Sequence, residues 1–418
     1  MMKYNTYTLS NGLRVIHLES VSPVVYCGYV IAAGTRDEEV GQEGLAHFCE
    51  HVTFKGTHRR HALQVVNCLE RVGGDMNAFT TKEDTVYYAA ILKEHFPKAV
   101  DVLSDIVFHS TYPQSEIDKE VEVICDEIDS YQDSPSELIF DDFENLIFDH
   151  HPLGRNILGN AERVRAFRTE DALSFTRKYY IPSRAVFFVY GDVDRKRVAS
   201  LLERATTDVT GRCKVDDGAH TPDGRMMQSA ALPTYVPRHE EIQKGTHQAH
   251  VMIGNRGYRM YDDRRIVLYL LNNIMGGPGM TARLNVALRE KRGLVYTVES
   301  TMVNYSDTGM WSTYFGCDSH DVERCLRLVR KELDKMCDKL LSERQLYTAK
   351  QQIKGQLGVA SDNRENFAID FGRSFLHYGV ERNLAQLFDS IDRITPEQVR
   401  DIAREIFDDK AITTLIYR

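Results

Sequence analysis

Two histidines and a glutamate fall within one helical turn in the segment His47-Phe48-Cys49-Glu50-His51. On an α-helix, at about 100° per residue, His47, Glu50 and His51 share one face within an arc of roughly 100°. Two imidazoles one turn apart can grip a single zinc ion at ~2.0–2.1 Å each. Glu50, beside the second imidazole, is then placed to take a proton from an attacking water rather than to bind the metal. The order H-x-x-E-H is the inverse of the commoner H-E-x-x-H. The bland reading is an amphipathic helix with two histidines on its polar face, so a third ligand has to be sought elsewhere.

The stretch Ser115 to Asp133, after Pro113, reads as a long helix. Ser115 is its expected N-cap, and Ile117, Val121, Ile124 and Ile128 recur at three and four. Glu120 and Glu127 lie two turns apart and stack on one face, whereas Asp126, Asp129 and Asp133 point elsewhere as a solvated face. Two histidines on zinc want one carboxylate as third ligand, with the fourth position left open. A second carboxylate can orient a ligand from outside. Spacing alone does not choose between Glu120 and Glu127.

Composition bounds the rest. A chain of 418 residues has room for two or three domains, and 42% apolar with 27% charged residues is ordinary for a globular protein. Net charge is -9, no basic cluster stands out and there is one tryptophan, which argues against nucleic-acid binding. The longest apolar runs, such as Ile266 to Leu271, are far short of a membrane span. Met1-Met2-Lys3-Tyr4-Asn5 shows no secretory signal, so a cytoplasmic location is expected. None of the eight cysteines forms a C-x-x-C pair, and reduced core thiols are expected. Cys49 is turned off the histidine face, and neither it nor Cys125 is expected to be a ligand.

The chain also repeats itself. Thr169-Glu170-Asp171 opens a helix leading to a strand, Ala185 to Tyr190, and at a constant offset of 226 Thr395-Pro396-Glu397 opens a helix leading to Ala411 to Ile416. Each threonine is an expected N-cap, and Pro396 suits a first helical position. The division expected is residues 1–215, a linker over 216–240 rich in Gly, Pro, Asp and Thr, and residues 241–418. Alternating strands and helices with short connections suggest an α+β class. Each half would be an α/β sandwich with a largely antiparallel sheet and helices packed on one face. The second-half counterpart of the histidine helix, near Asp262 to Met275, offers Tyr269, Asn272 and Asn273, which excludes a metal site there.

Leu9-Ser10-Asn11-Gly12-Leu13-Arg14-Val15, Ala33-Gly34-Thr35-Arg36-Asp37-Glu38 and the histidine helix ending Phe54-Lys55-Gly56-Thr57 resemble the pitrilysin and mitochondrial processing peptidase family. Its members are inverzincins, zinc peptidases built on H-x-x-E-H. In that family the third ligand sits in an E-x6-E helix. The resemblance thus implies His47, His51 and Glu127 as ligands of one zinc per chain, Glu50 as base and Glu120 as assisting carboxylate. Gly73 to Thr80 is similar to the family's edge strand, whose N-A-x-T segment pairs with a bound peptide, implying Asn77 and Ala78 as substrate contacts. Gly276-Gly277-Pro278-Gly279-Met280, with Leu288-Arg289-Glu290-Lys291-Arg292-Gly293-Leu294-Val295-Tyr296, also resembles the family. It implies that Arg289 and Tyr296 bind the peptide backbone or steady the tetrahedral intermediate. His150-His151-Pro152-Leu153-Gly154-Arg155 resembles a further family segment, but adjacent histidines point apart and cannot share a metal. His58, His61, His247 and His250 lack partner carboxylates and are expected in solvent.

Two similar α+β domains, with the second sheet face lining a cavity, are what the resemblance implies for the fold. The length points to the two-domain processing-peptidase branch rather than to four-domain pitrilysin or insulin-degrading enzyme. The function implied is a zinc metalloendopeptidase that cleaves peptides or unfolded segments inside a dimer chamber. A homodimer could supply every part, with Arg289 and Tyr296 serving the partner's zinc, and a heterodimer with a metal-free relative competes with it. No nucleic-acid or membrane partner is expected. The alternative function is a non-catalytic structural or assembly subunit.

Overall fold

A computed structural model describes residues 4–209, 231–381 and 383–418. The chain forms two compact units. The first contains residues up to 129, 155–229 and 360–382; the second contains 130–154, 230–359 and 383–418. Each unit therefore holds one short segment from the opposite half of the sequence, where the division at 215 and 241 runs each half continuously. Residues 216–230 of the expected linker lie outside the described residues; 231–238 are irregular and lead into a strand.

In the first unit, β1 (Tyr4–Thr8), β2 (Arg14–Glu19), β3 (Val24–Ile31), β4 (Asp75–Thr80), β5 (Thr85–Leu92) and β6 (Ala185–Gly191) form one sheet in the order β1-β2-β6-β3-β5-β4. All neighbours are antiparallel except β2 and β6. Phe187 and Val189 of β6 face a core shared with the Leu45–Thr53, Phe96–His109 and Thr169–Tyr179 helices. The alternate residues Ile16, Val30, Val186 and Phe188 are apolar and buried too, so the second sheet face also needs cover. The Arg364–Tyr378 helix provides it. Phe371 packs edge-on against Phe188 and Tyr4, and a Cβ at Gly372 would meet the Phe188 ring at 2.8 Å. Among the described residues, helices thus lie on both faces, several on one and a single one on the other, rather than on one face above a cavity.

The second unit repeats the scheme with β7 (His239–Ile242), β8 (Ala249–Gly257), β9 (Val295–Asn304), β10 (Gly309–Cys317) and β11 (Thr413–Tyr417), ordered β7-β11-β8-β10-β9. The Arg264–Gly276, Val322–Asp338 and Pro396–Ile406 helices pack on one face around Trp311 and Phe315. The Pro135–Ile147 helix covers the other, laying Ile139, Phe143 and Ile147 on Met252, Leu415 and Tyr417. Tyr417, on β11, and Tyr305, just past the end of β9, donate to its Asp142 and Glu144 carboxylates.

Two caps differ from expectation. Thr395 caps its helix, accepting from Gln398 N at 3.3 Å, but Arg168 is the N-cap of the Thr169–Tyr179 helix. The Thr169 hydroxyl instead donates to the Tyr112 carbonyl at 2.7 Å. Ser115 lies inside the Gln114–Gln132 helix, because the Glu116 and Ile117 N–H groups already donate to the Pro113 carbonyl. Among the described residues, no helix is long and apolar enough to cross a membrane.

Candidate metal centre

The Leu45–Thr53 helix buries Leu45, Ala46, Phe48, Cys49 and Val52 against the first core and turns His47, Glu50 and His51 the other way. Its start is fixed by Gly44, at φ +93°, where a Cβ would stand 2.7 Å from the Leu158 carbonyl oxygen. The buried Glu38 carboxylate accepts from Gly44 N at 3.2 Å and Ala46 N at 2.8 Å, satisfying N–H groups that a helix leaves open. Burial pushes this carboxyl up to about 8 despite those bonds.

The Gln114–Gln132 helix brings both glutamates to the histidines, at different atoms. Glu127 reaches the Nε2 atoms: Oε2 lies 3.3 Å from His51 and Oε1 3.9 Å from His47. Glu120 Oε1 lies 3.1 Å from His51 Nδ1, and its Oε2 is paired with Lys55 Nζ at 2.6 Å. The two imidazole centroids are 4.6 Å apart. One ligand atom each from His47, His51 and Glu127 lies within 4.8 Å of the others. Donors at ~2.0–2.1 Å around a tetrahedral ion stand about 3.3 Å apart, so this spacing fits such an ion after small side-chain shifts. The donor set, two imidazoles and a carboxylate, suits the same ion, and Glu127 is half-exposed, leaving an open side toward solvent.

The electrostatics agree with the geometry. Burial, aided by the neighbouring His51, holds the His47 imidazole down at about 4, so it is neutral and has a lone pair to give. His51 moves the opposite way: burial lowers it, but Glu120 and Glu127 outweigh burial and raise it to about 9. The carboxylates thus draw positive charge to this point, and a metal cation would displace the proton. Glu127 is held below the carboxylate range chiefly by His51. Burial raises the Glu50 carboxyl, opposed by the Thr80 hydroxyl and His51.

Asn77 and Ala78 lie on β4, which among the described residues pairs only with β5 and so forms the sheet's edge. Ala78 N–H donates to Asn77 Oδ1 at 2.8 Å. At the end of the same strand Thr80 Oγ1 donates to Glu50 Oε2 at 2.8 Å. Arg289 and Tyr296 belong to the second unit, where the guanidinium lies 5.5 Å from the centroid of the tyrosine ring. Tyr296 is 80% exposed, so it is no core phenol. His151 is buried and accepts from Leu153 N, while His150 points to solvent. His250 is partly buried against Tyr314 OH at 2.8 Å, not solvated as expected, because β8 and β10 set the two side by side.

Three residues near the cluster escaped the sequence reading as individuals: Glu38, Lys55 and Thr80. All three lie in segments that carried the resemblance, but their contacts are made by the fold. In the second unit the Arg264–Gly276 helix places Asn272 between the Ser300 carbonyl and the Trp311 indole, at 3.0 and 3.1 Å. It contributes to no metal-binding cluster among the described residues.

Comparison with known proteins agrees with this picture. Residues 14–161 match the model of the insulinase family, peptidase family M16, and residues 166–353 match that of the peptidase M16 inactive domain. An uncharacterized zinc protease of Streptomyces coelicolor is 34% identical over 405 residues, spanning 96% of this chain and 86% of its own. The uncharacterized zinc protease YmxG of Bacillus subtilis is 30% identical over 412 residues, spanning 98% and 97%. Among solved structures, a protease from Helicobacter pylori has a TM-score of 0.88 at 20% identity, covering 100% of this chain and 99% of that one. A peptidase M16 inactive domain protein from Pseudomonas fluorescens also has a TM-score of 0.88, at 18% identity, covering 100% and 98%. With both domain models matched in order and relatives alike over nearly the whole chain, this protein belongs to peptidase family M16, the insulinase family.

Proposed function

We propose that the protein is a zinc metalloendopeptidase that cleaves peptides or unfolded segments. The observation that carries this reading is the convergence of His47, His51 and Glu127 within 4.8 Å, with Glu50 on the same helix face. The names of the relatives support zinc as the ion, one per chain, held by those three residues. When bound, zinc supplies Lewis-acid polarisation of the scissile carbonyl and eases deprotonation of water. Glu50 takes the proton of the attacking water as its oxygen bonds to the carbonyl carbon. It then delivers that proton to the amine nitrogen as the C–N bond breaks. Glu120, braced by Lys55, holds His51 by Nδ1 and so fixes which nitrogen faces the metal.

The substrate adds to the free edge of β4 as an extra strand, with Asn77 and Ala78 as backbone contacts. Main-chain pairing of this kind is indifferent to sequence, which suits a peptidase of unfolded segments. Arg289 and Tyr296 act on the peptide backbone or the developing oxyanion. We place them at the zinc of a second copy in a homodimer, because one chain carries both sets of residues. Free thiols at every described cysteine suit the cytoplasm.

The test is a mixed peptide library digested by the purified protein, with and without chelator, and mapped by mass spectrometry. Glu50→Gln should keep zinc and fold and lose hydrolysis by several orders of magnitude, on the order of the loss of an acid-base group. Unchanged turnover in that variant would refute the assigned base. A fully active monomer in size-exclusion chromatography with light scattering would remove the homodimer.

A further inference from the structure

We infer that Thr80 is a positioning residue for Glu50. Its hydroxyl ties one carboxylate oxygen and leaves the other to handle the proton, so the strand that receives the peptide also sets the base. The inference rests on the peptidase reading above.

The geometry is direct. Thr80 Oγ1 donates to Glu50 Oε2 at 2.8 Å across the contact between β4 and the Leu45–Thr53 helix. Side chains alternate along a strand. Met76 and Ala78 pack toward the core beneath that helix, and Thr80 continues the same face to Glu50. The odd residues face away: Phe79 lies against the Arg373 guanidinium, on the side of the Arg364–Tyr378 helix. A carboxylate on a rotatable side chain can present either oxygen, and one fixed donor removes that freedom.

The donor is itself held firmly. Thr80 leads into a turn whose three charged residues, Lys82, Glu83 and Asp84, are all buried. Lys82 donates to the Arg155 carbonyl, and Glu83 pairs with Arg36 at 2.6 Å. Asp84 accepts from Arg373 Nη2 at 3.0 Å and His377 Nε2 at 2.7 Å. Buried ion pairs cost more to break than exposed ones, so the end of β4 is a rigid support. A peptide pairing along β4 would draw on the same strand, which links substrate docking to the orientation of the base.

Thr80→Val keeps the β-branched shape and removes the donor; Thr80→Ser keeps the donor. Steady-state hydrolysis of one peptide by the full-length protein should show kcat lowered by roughly 10–100-fold in Thr80→Val, with KM within about threefold. Thr80→Ser should stay within about threefold of wild type. Zinc content should be unchanged in both. In a Glu50→Gln background Thr80→Val should cause no further loss, because the group it acts through is gone. An additive loss there, or wild-type kcat in Thr80→Val, overturns the inference and leaves the peptidase reading intact. Wild-type turnover in Glu50→Gln overturns that reading itself. If the valine variant fails to fold, Thr80→Ala against Thr80→Ser gives the same contrast, and equal kcat in those two overturns the role.

Discussion

Replacing Asp84 by asparagine should destabilise the first unit by about 2–3 kcal/mol at neutral pH, and by less in acid. Asp84 is fully buried in the turn between β4 and β5. Its carboxylate accepts from Arg373 Nε at 3.0 Å, Arg373 Nη2 at 3.0 Å and His377 Nε2 at 2.7 Å. Burial alone would raise its pKa, but Arg373 and His377 outweigh burial and hold it at about 2, below the ordinary 3.8. At ~1.4 kcal/mol per unit, that depression corresponds to roughly 2–3 kcal/mol. Because the folded value is the lower one, this stability is fully present above the unfolded pKa near 4 and is lost as pH falls through about 2. At pH 3 about half should remain. Asp84→Asn retains an oxygen for the guanidinium but no charge. Urea unfolding followed by circular dichroism, on wild type and variant at pH 7, 5 and 3, measures the gap directly. The gap should be near its full value at pH 7 and 5 and about half that at pH 3. A gap that does not change with pH, or no gap at all, would show that the ionic clamp on the Arg364–Tyr378 helix is not what holds this turn.

Two further changes probe the metal centre. Glu120→Gln weakens the hold on His51 Nδ1 and removes the charge paired with Lys55, so zinc affinity should fall by roughly 10–100-fold in competition against a chelating dye; unchanged affinity would mean His51 needs no such brace. Gly44→Ala puts a side chain at φ +93° and a Cβ 2.7 Å from the Leu158 carbonyl, so the start of the Leu45–Thr53 helix must shift. That should cost about 2 kcal/mol or more and lower Tm by roughly 4–8 °C in a thermal melt, and a melt like wild type would contradict the close approach.

The histidine pair was legible because its chemistry is written in consecutive residues, where helix geometry alone turns the side chains together. The two glutamates were legible as a pair but not as individuals. Seven residues apart, they share a face, and spacing says nothing about which meets Nε2 and which meets Nδ1. That difference is set by how the Gln114–Gln132 helix lies against the Leu45–Thr53 helix, a property of packing. Glu38 and Thr80 reach the site from a loop and a strand end, through contacts across 8 and 30 residues of chain. The exchange of segments was illegible for a related reason. The apolar stripe of the Pro135–Ile147 helix requires a sheet face but does not name which sheet, and the same holds for the Arg364–Tyr378 helix. Apolar residues at successive positions of β6 did indicate a sheet buried on both sides, which is the signal that could have called for an extra helix.

The two sheets place their common strands in one order, β6-β3-β5-β4 and β11-β8-β10-β9, so duplication reaches well beyond the helix and strand that repeat in sequence. One difference between the units is which polar groups the equivalent helices carry: neutral Asn272 and Asn273 in the second, His47, Glu50 and His51 in the first. In the second unit the Asn272 amide is closed upon itself: its NH2 donates to the Ser300 carbonyl and its oxygen accepts from the Trp311 indole, all of it buried. Such a neutral amide, held at both its nitrogen and its oxygen within the core, is a poor metal ligand. In the first unit the equivalent surface is left electrostatically incomplete. Two carboxylates raise His51 to about 9, burial holds His47 at about 4, and His47 Nδ1 is buried without a hydrogen bond. A core arranged for stability alone would not keep an anion-rich cluster beside a desolvated neutral imidazole. A divalent cation at the Nε2 atoms would take the imidazole lone pairs and offset the charge of Glu127, which is the ground on which we propose the first unit as the one that holds it.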